Sequence, residues 1–163
     1  LVIQAGIAGT FNNKFQPGDV VIVRQDTFAD TGMEESAEFT SIYQTDFADK
    51  NKFPFTDGWL VNEYADRKNQ KLPLVNAVTI NKISDSALQK QQLIKNFTPD
   101  IETMEGAALH YVCRQMNIPF VQVRAVSNHV GERNKENWKI GEAKRCGICL
   151  GRVSTPTSES RRT

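Results

Sequence analysis

Short runs of apolar residues alternate with amphipathic helical patterns along this chain, and the alternation limits the folds that it can adopt. Strands that alternate with helices predict an α/β domain around a mostly parallel or mixed sheet. In such sheets, ligands bind at the carboxyl ends of the strands. The pattern predicts strands at Val2–Ala5, Val20–Val23, Leu74–Ile80 and Pro119–Val126, and helices at Ser86–Phe97 and Met104–Met116.

Residues 26–60 are polar with scattered aromatic side chains, and we assign no strand or helix to most of them. A connection of this length without secondary structure of its own is uncommon in a compact domain. We therefore expect a functional loop or a lid.

The composition excludes several classes of protein. With 39% hydrophobic and 24% charged residues, the 163-residue chain can bury one core. Residues 1–143 carry 15 basic and 18 acidic side chains, so we expect no basic surface for nucleic acid. No apolar run approaches the roughly 18 residues that a membrane span needs. We expect a cytoplasmic protein with neither a nucleic-acid nor a membrane partner.

The cysteines and histidines do not predict a metal centre. Cys113 lies in an apolar helical pattern and is expected to be a small buried side chain. Cys146 and Cys149 form a C-x-x-C pair, but a zinc site needs two further ligands. Neither His110 nor His129 has a suitable spacing from that pair. We expect a reduced chain with no metal and no cofactor.

Both ends of the chain differ from those of a complete domain. Leu1 and the residues after it read as the interior of a buried strand, so we expect a domain that is truncated at its N-terminus. From Lys144 onward the periodicity is lost, and we expect 144–163 to be a disordered tail. A change of reading frame or true divergence would explain the shift, which leaves a partial domain at 1–143.

Three segments carry candidate binding residues. Glu105 begins a helical pattern, where the helix dipole stabilises a carboxylate; it is either a helix-start acid or an acceptor for the two hydroxyls of a ribose. Asn128 closes an apolar strand, where it either forms a turn or addresses two adjacent atoms of a purine. Residues 6–9, Gly-Ile-Ala-Gly, read as a turn, which either serves tight packing or lets a flat ligand approach the backbone.

These segments resemble the nucleoside phosphorylase and nucleosidase superfamily. Residues 103–107, Thr-Met-Glu-Gly-Ala, are similar to its ribose-binding segment, and residues 124–128, Arg-Ala-Val-Ser-Asn, to the segment that carries its purine-protonating acid. The resemblance implies a three-layer α/β fold with a central mixed sheet. The site residues that it implies are Glu105 on the ribose, Asn128 on the leaving base, and Met104, Gly6, Ala8, Gly9, Ile83 and Ser84 around the substrate.

Two departures from the superfamily pattern indicate the branch. Asn128 replaces the Asp of adenine-cleaving members, and an amide N–H suits the O6 acceptor of a 6-oxopurine. Ile7 stands where phosphorylases place a hydroxyl near phosphate. With residues 28–34 and 127–133, these features resemble the branch that hydrolyses futalosine, a hypoxanthine nucleoside of menaquinone biosynthesis. The alternatives are a methylthioadenosine or adenosylhomocysteine nucleosidase, a purine nucleoside phosphorylase and a non-catalytic fragment.

The implied reaction is cleavage of the N-glycosidic bond through an oxocarbenium-like sugar. Glu105 would favour the developing positive charge, and Asn128 would stabilise the leaving base. The resemblance assigns water activation to a glutamate of a first strand that this chain does not show, so we expect the chain as given to be inactive. If it proves active, Asp30 or Glu34 is the alternative base. The superfamily commonly forms dimers or larger assemblies, which implies a homo-oligomer for the complete protein.

Overall fold

The computed structural model describes residues 1–36, 38–66, 71–132 and 134–141. The strands in these ranges are β1 (Val2–Thr10), β2 (Val20–Asp26), β3 (Gly32–Glu35), β4 (Glu38–Ser41), β5 (Leu60–Val61), β6 (Leu74–Thr79), β7 (Ile101–Thr103) and β8 (Phe120–His129). The α-helices are α1 (Ala87–Phe97) and α2 (Gly106–Gln115), and short 3-10 turns occur at Ile42–Gln44 and Lys135–Asn137.

Five of the strands form a closed circuit. The pairs β2–β6, β6–β7 and β1–β8 are parallel, and the pairs β1–β7 and β2–β8 are antiparallel. Because β2 is bonded to both β6 and β8, the mixed sheet closes on itself, and β5 extends it along the carboxyl end of β2. The strands β3 and β4 form a separate hairpin.

Every strand of the circuit contributes to one apolar core. Its members are Ala8, Phe15, Val21, Val23, Val75, Ala77, Ile101 and Val126. Leu93 of α1 packs into a second cluster with Val78 and Ile80, which covers the neighbouring part of the sheet. The expected α/β class with a central mixed sheet is confirmed.

Two of the predicted strand ends are wrong. β1 continues through residues 6–9, which are part of a strand rather than a turn. β8 continues through Asn128, which therefore lies inside a strand rather than beyond its end. The reason is that β1 and β8 pair along their whole length, across a bulge near the end of β1. Gly6 suits this close pairing because a Cβ atom would collide with the guanidinium of Arg124.

Both helices begin later than predicted. The N-cap of α1 is Ser86, whose side chain accepts a backbone N–H of the first turn. The helix α2 begins at Gly106, so Glu105 occupies the N-cap position instead of the first turn. The Glu105 side chain makes no capping hydrogen bond and is free to interact elsewhere.

The 26–60 segment is more ordered than its composition predicts. It contains the β3–β4 hairpin and a 3-10 turn, and it leads into β5. Sequence periodicity missed these elements because strands of two to four residues are too short to show an alternating pattern. The same reason applies to β7, which spans three residues.

Cys113 is buried, as predicted. The predicted tail at 144–163, with Cys146 and Cys149, lies outside the described residues. Within the described part of the chain, neither α-helix is long and apolar enough to cross a membrane.

Candidate active site

A cleft opens where β1 and β7 separate. The two strands pair only at Gly9–Glu102 and Thr10–Ile101. Beyond this point β1 follows β8, whereas the chain after β7 turns into α2, and the wedge between them encloses about 630 Å³. A cavity of this size suits a small organic ligand. Its lining comes from residues 4–9, Ile83, residues 102–105, Arg124, Ser127, Asn128 and Trp138.

Glu105 stands at the wide end of the cleft. Its side chain is 62% exposed, and Oε2 accepts from Nη1 of Arg124 at 3.3 Å. Arg124 is almost completely buried, and its Nη2 donates to Oε1 of Gln4 at 2.8 Å. The ion pair fixes one carboxylate oxygen of Glu105 and leaves the other for ligand hydroxyls. The partly exposed side chain of Met104 lies next to it in the cleft and offers an apolar surface.

Asn128 faces the narrow end of the cleft. Its Oδ1 accepts from the Ser127 hydroxyl at 2.6 Å, and its Nδ2 donates to the backbone oxygen of His129 at 2.9 Å. The His129 carbonyl can only accept, so its contact identifies the nitrogen end of the amide. One hydrogen of Nδ2 remains for a ligand, so the amide presents a donor. Gly9 is paired with Asn128 and has no side chain that would fill the adjacent space.

A buried polar network supports Arg124. Nδ1 of His110 lies 2.8 Å from the Leu60 oxygen and donates to it, which makes Nε2 an acceptor. Burial lowers the pKa of His110 to about 4 and keeps the ring neutral at pH 7. The nitrogen of the Gln122 amide then donates to Nε2 at 2.7 Å, and its oxygen accepts from Nε and Nη2 of Arg124 at 2.9 and 3.2 Å. A continuous series of hydrogen bonds therefore positions the guanidinium that holds Glu105.

Asp26 lies within the same buried region. Its Oδ1 accepts from the Thr27 N–H at 2.8 Å and from the Thr79 hydroxyl at 2.9 Å. Burial nevertheless raises the pKa of Asp26 to about 7, although these bonds and the charge of Arg124 oppose the rise. Gly106 fits above the carboxyl because a Cβ at this position would collide with Oδ2.

Asp26→Asn is expected to reduce the pH dependence of stability between about pH 4 and pH 7. The folded state raises the carboxyl pKa from 3.8 to about 7, so stability is highest below the unfolded value and is lost as the pH rises through this window. Asparagine imitates the protonated carboxyl, and above pH 7 we expect the variant to be more stable by on the order of a few kcal/mol. Urea unfolding at pH 5 and pH 8 measures both quantities, with the exposed Asp46→Asn as control. Parallel pH curves for wild type and Asp26→Asn would contradict this expectation.

The structure brings together all but one of the predicted site residues. The cleft is lined by Gly6, Ala8, Gly9, Ile83, Met104, Glu105 and Asn128. Ser84 is fully buried, does not line the cleft and has its backbone N–H 3.5 Å from Oε1 of Glu102. Asp30 and Glu34 line a different cleft, which runs beside α1.

Sequence reasoning missed the residues that orient the site. Arg124 positions Glu105, and Ser127 positions Asn128. A lone arginine within an apolar strand was a usable signal, because a buried arginine requires charged or polar partners. Glu102 was also missed, although a carboxylate in a short buried strand carries the same signal. Among the described residues, no three His, Cys, Asp or Glu side chains come together as metal ligands.

The sequence matches one known family over most of its length. Residues 1–150 match the model of the phosphorylase superfamily. The chain belongs to this superfamily, as the motifs at residues 103–107 and 124–128 predicted. It is 28% identical over 141 residues to the futalosine hydrolase of Thermus thermophilus, covering 85% of this chain. It is also 23% identical over 142 residues to the 5'-methylthioadenosine/S-adenosylhomocysteine nucleosidase of Buchnera aphidicola, again covering 85% of this chain.

A solved structure confirms the fold. The futalosine hydrolase of Helicobacter pylori superposes with a TM-score of 0.68 at 17% identity and covers 91% of this chain. The chain spans 61% of the length of the Thermus relative, 55% of the Buchnera relative and 64% of the Helicobacter structure. Because the chain spans only this part of its relatives, we state the activity of the complete protein as a proposal.

Proposed function

We propose that the cleft binds a 6-oxopurine nucleoside for hydrolysis of its N-glycosidic bond, with futalosine as substrate and hypoxanthine as the released base. The donor orientation of Asn128 carries the proposal. A 6-oxopurine presents two acceptors, O6 and N7, on one edge, whereas adenine presents a donor amino group beside N7. An amide N–H placed at O6 complements the first edge, whereas at the same position in adenine it meets the amino group.

The ribose occupies the other end of the cleft. Glu105 accepts from the two ribose hydroxyls, and Met104 provides an apolar surface for the sugar. The ion pair with Arg124 holds the carboxylate in place before the ligand arrives. A carboxylate that is oriented in advance stabilises the positive charge of an oxocarbenium-like transition state without reorganisation.

The reaction transfers the sugar from purine to water. The bond between C1′ and N9 breaks, the electron pair goes to the purine, and the oxygen of water bonds to C1′. One proton of the water is lost to a base, and the purine gains a proton. Asn128 stabilises the departing base by donating to O6.

Water activation needs a further carboxylate. Among the described residues that line the cleft, the carboxylates are Glu102 and Glu105. Glu105 is committed to the ribose, and Glu102 lies at the narrow, base-binding end. We propose that the activating base comes from a part of the protein outside the described lining, so that this chain binds futalosine without cleaving it.

A chimera tests the proposed reaction. This chain is joined to the segments of the Thermus thermophilus futalosine hydrolase that it does not match, and hypoxanthine is measured by chromatography. We expect release of hypoxanthine from futalosine without phosphate, and binding without release by this chain alone. A requirement for phosphate would indicate a phosphorylase, and faster cleavage of methylthioadenosine would indicate the alternative nucleosidase. Absence of both binding and release would contradict futalosine as the ligand of this cleft.

We also propose the pathway, the cellular location and the oligomeric state of the complete enzyme. The resemblance to futalosine hydrolases supports a step of menaquinone biosynthesis, a cytoplasmic location and a homo-oligomeric complete protein. Size-exclusion chromatography with light scattering of the chimera tests the last point. We expect a mass of at least two chains, and a strictly monomeric species would contradict it.

A further inference from the structure

We propose that Glu102 recognises the purine base. Its carboxylate accepts a hydrogen bond from the N1–H of the bound 6-oxopurine, on the side of the base opposite Asn128. This inference rests on the proposed function, which places a purine in the narrow end of the cleft. It adds a specificity residue that the sequence motifs do not contain.

The strand register places Glu102 and Asn128 in one row across three neighbouring strands. Gly9 of β1 pairs with Asn128 of β8 on one side and with Glu102 of β7 on the other. Laterally paired residues project from the same face of a sheet, and the middle position of this row has no side chain. Glu102 and Asn128 are two strand spacings apart, which is roughly 10 Å. If each side chain makes one hydrogen bond of about 3 Å to the ligand, the remaining gap suits one planar ring system.

Glu102 is buried but incompletely satisfied. Its side chain lines the cleft with 8% of the residue exposed, and Oε2 has no hydrogen-bond partner in the described structure. Because an unmade hydrogen bond of a buried polar group is costly, an unpartnered carboxylate oxygen on a residue that lines the cleft indicates that a ligand completes it.

The raised pKa of Glu102 agrees with a carboxylate that lacks one hydrogen-bond donor. Burial raises the pKa of Glu102, and nearby Asp30 raises it further, whereas Ser84 and Lys90 lower it. An N–H group that donates to the carboxylate would favour the ionised form and offset part of the burial. The N1 position of hypoxanthine supplies such a donor.

Glu102 and Asn128 distinguish purines through different atoms of the base. A 6-oxopurine carries a hydrogen on N1, which an ionised Glu102 accepts. Adenine has an unprotonated N1, whose lone pair faces the carboxylate unfavourably. Glu102 therefore selects against adenine independently of the donor from Asn128.

Titration of the full 163-residue chain with hypoxanthine and with adenine tests the proposal. Glu102→Gln replaces a charged acceptor with an amide that can donate to N1 of adenine. We expect the ratio of the hypoxanthine to the adenine association constant to fall at least about tenfold. This ratio does not depend on the folded fraction, because both ligands bind the same folded molecules. The exposed Glu38→Gln of β4 is the matched control and should leave the ratio unchanged.

A second measurement needs no variant. The wild-type chain is titrated with 1-methylhypoxanthine, which lacks the N1 hydrogen, and we expect binding at least about tenfold weaker than that of hypoxanthine. Equal binding of the two bases, or an unchanged ratio in Glu102→Gln, would overturn the role of Glu102. If Asn128→Asp still shifted the ratio, the proposed function would stand without it. Failure of the wild-type chain to bind either base would overturn both.

Discussion

Glu105→Gln is expected to weaken the binding of inosine and of futalosine by about a hundredfold and to leave the binding of free hypoxanthine unchanged. The substitution keeps the shape of the side chain but removes the charge, and hydrogen bonds to charged groups contribute about 1.5–3 kcal/mol each. It also removes the ion pair with Arg124, which fixes the carboxylate. Free hypoxanthine lacks a ribose, so its affinity depends only on the base-binding end of the cleft. Calorimetric titration measures all three ligands.

A matched control separates the ribose contact from a general loss of charge. Glu63 also pairs with an arginine, Arg114, at 3.6 Å and is exposed, but it lies outside the cleft. Glu63→Gln should leave nucleoside binding unchanged. In the wild-type chain, 2′-deoxyinosine should bind much more weakly than inosine. Equal binding of the deoxy ligand, together with a silent Glu105→Gln, would exclude the ribose role.

Asn128→Asp is expected to shift the preference of the cleft from 6-oxopurine towards adenine nucleosides by about ten- to a hundredfold, which corresponds to 1–3 kcal/mol for a matched buried hydrogen bond. A carboxylate accepts from the adenine amino group and repels O6. The bond from the Ser127 hydroxyl to Oδ1 can be retained, so the side chain keeps its position. The affinities for inosine and adenosine, measured on the same preparation, give the shift.

The exposed Asn13→Asp adds the same charge away from the cleft and should not alter the preference. An unchanged ratio of inosine to adenosine affinity in Asn128→Asp would show that Asn128 does not contact the base. The result would then leave the ribose end of the site as the sole support for nucleoside binding.

The class of fold and the residues that line the cleft were predictable because they depend on local signals. The apolar run at Val20–Val23 and all but the last residue of Leu74–Ile80 lie in strands, and the motif at residues 103–107 places Glu105 at a helix start. Periodicity reports only which residues of one segment share a face. It contains no information about which strands are neighbours, so closure of the sheet through the β2–β8 pairing was not predictable.

The same limit explains the errors at the site. Residues 6–9 read as a turn because glycine is typical of turns, but here Gly6 accommodates the guanidinium of Arg124 from the adjacent strand. Asn128 and Glu102 likewise come together because both pair with Gly9 of β1, which lies about ninety to a hundred and twenty positions away from them in the chain. A resemblance to known motifs suggested the candidate residues, whereas their orientation required the structure.

The central claim is that this cleft selects a hypoxanthine nucleoside. The most direct measurement is a calorimetric titration of the wild-type chain with futalosine and with methylthioadenosine under identical conditions. We predict that futalosine binds at least about tenfold more tightly, because the Asn128 donor faces acceptors in one ligand and an amino group in the other. Equal affinities, or tighter binding of methylthioadenosine, would contradict the claim and would favour the adenine-cleaving nucleosidases.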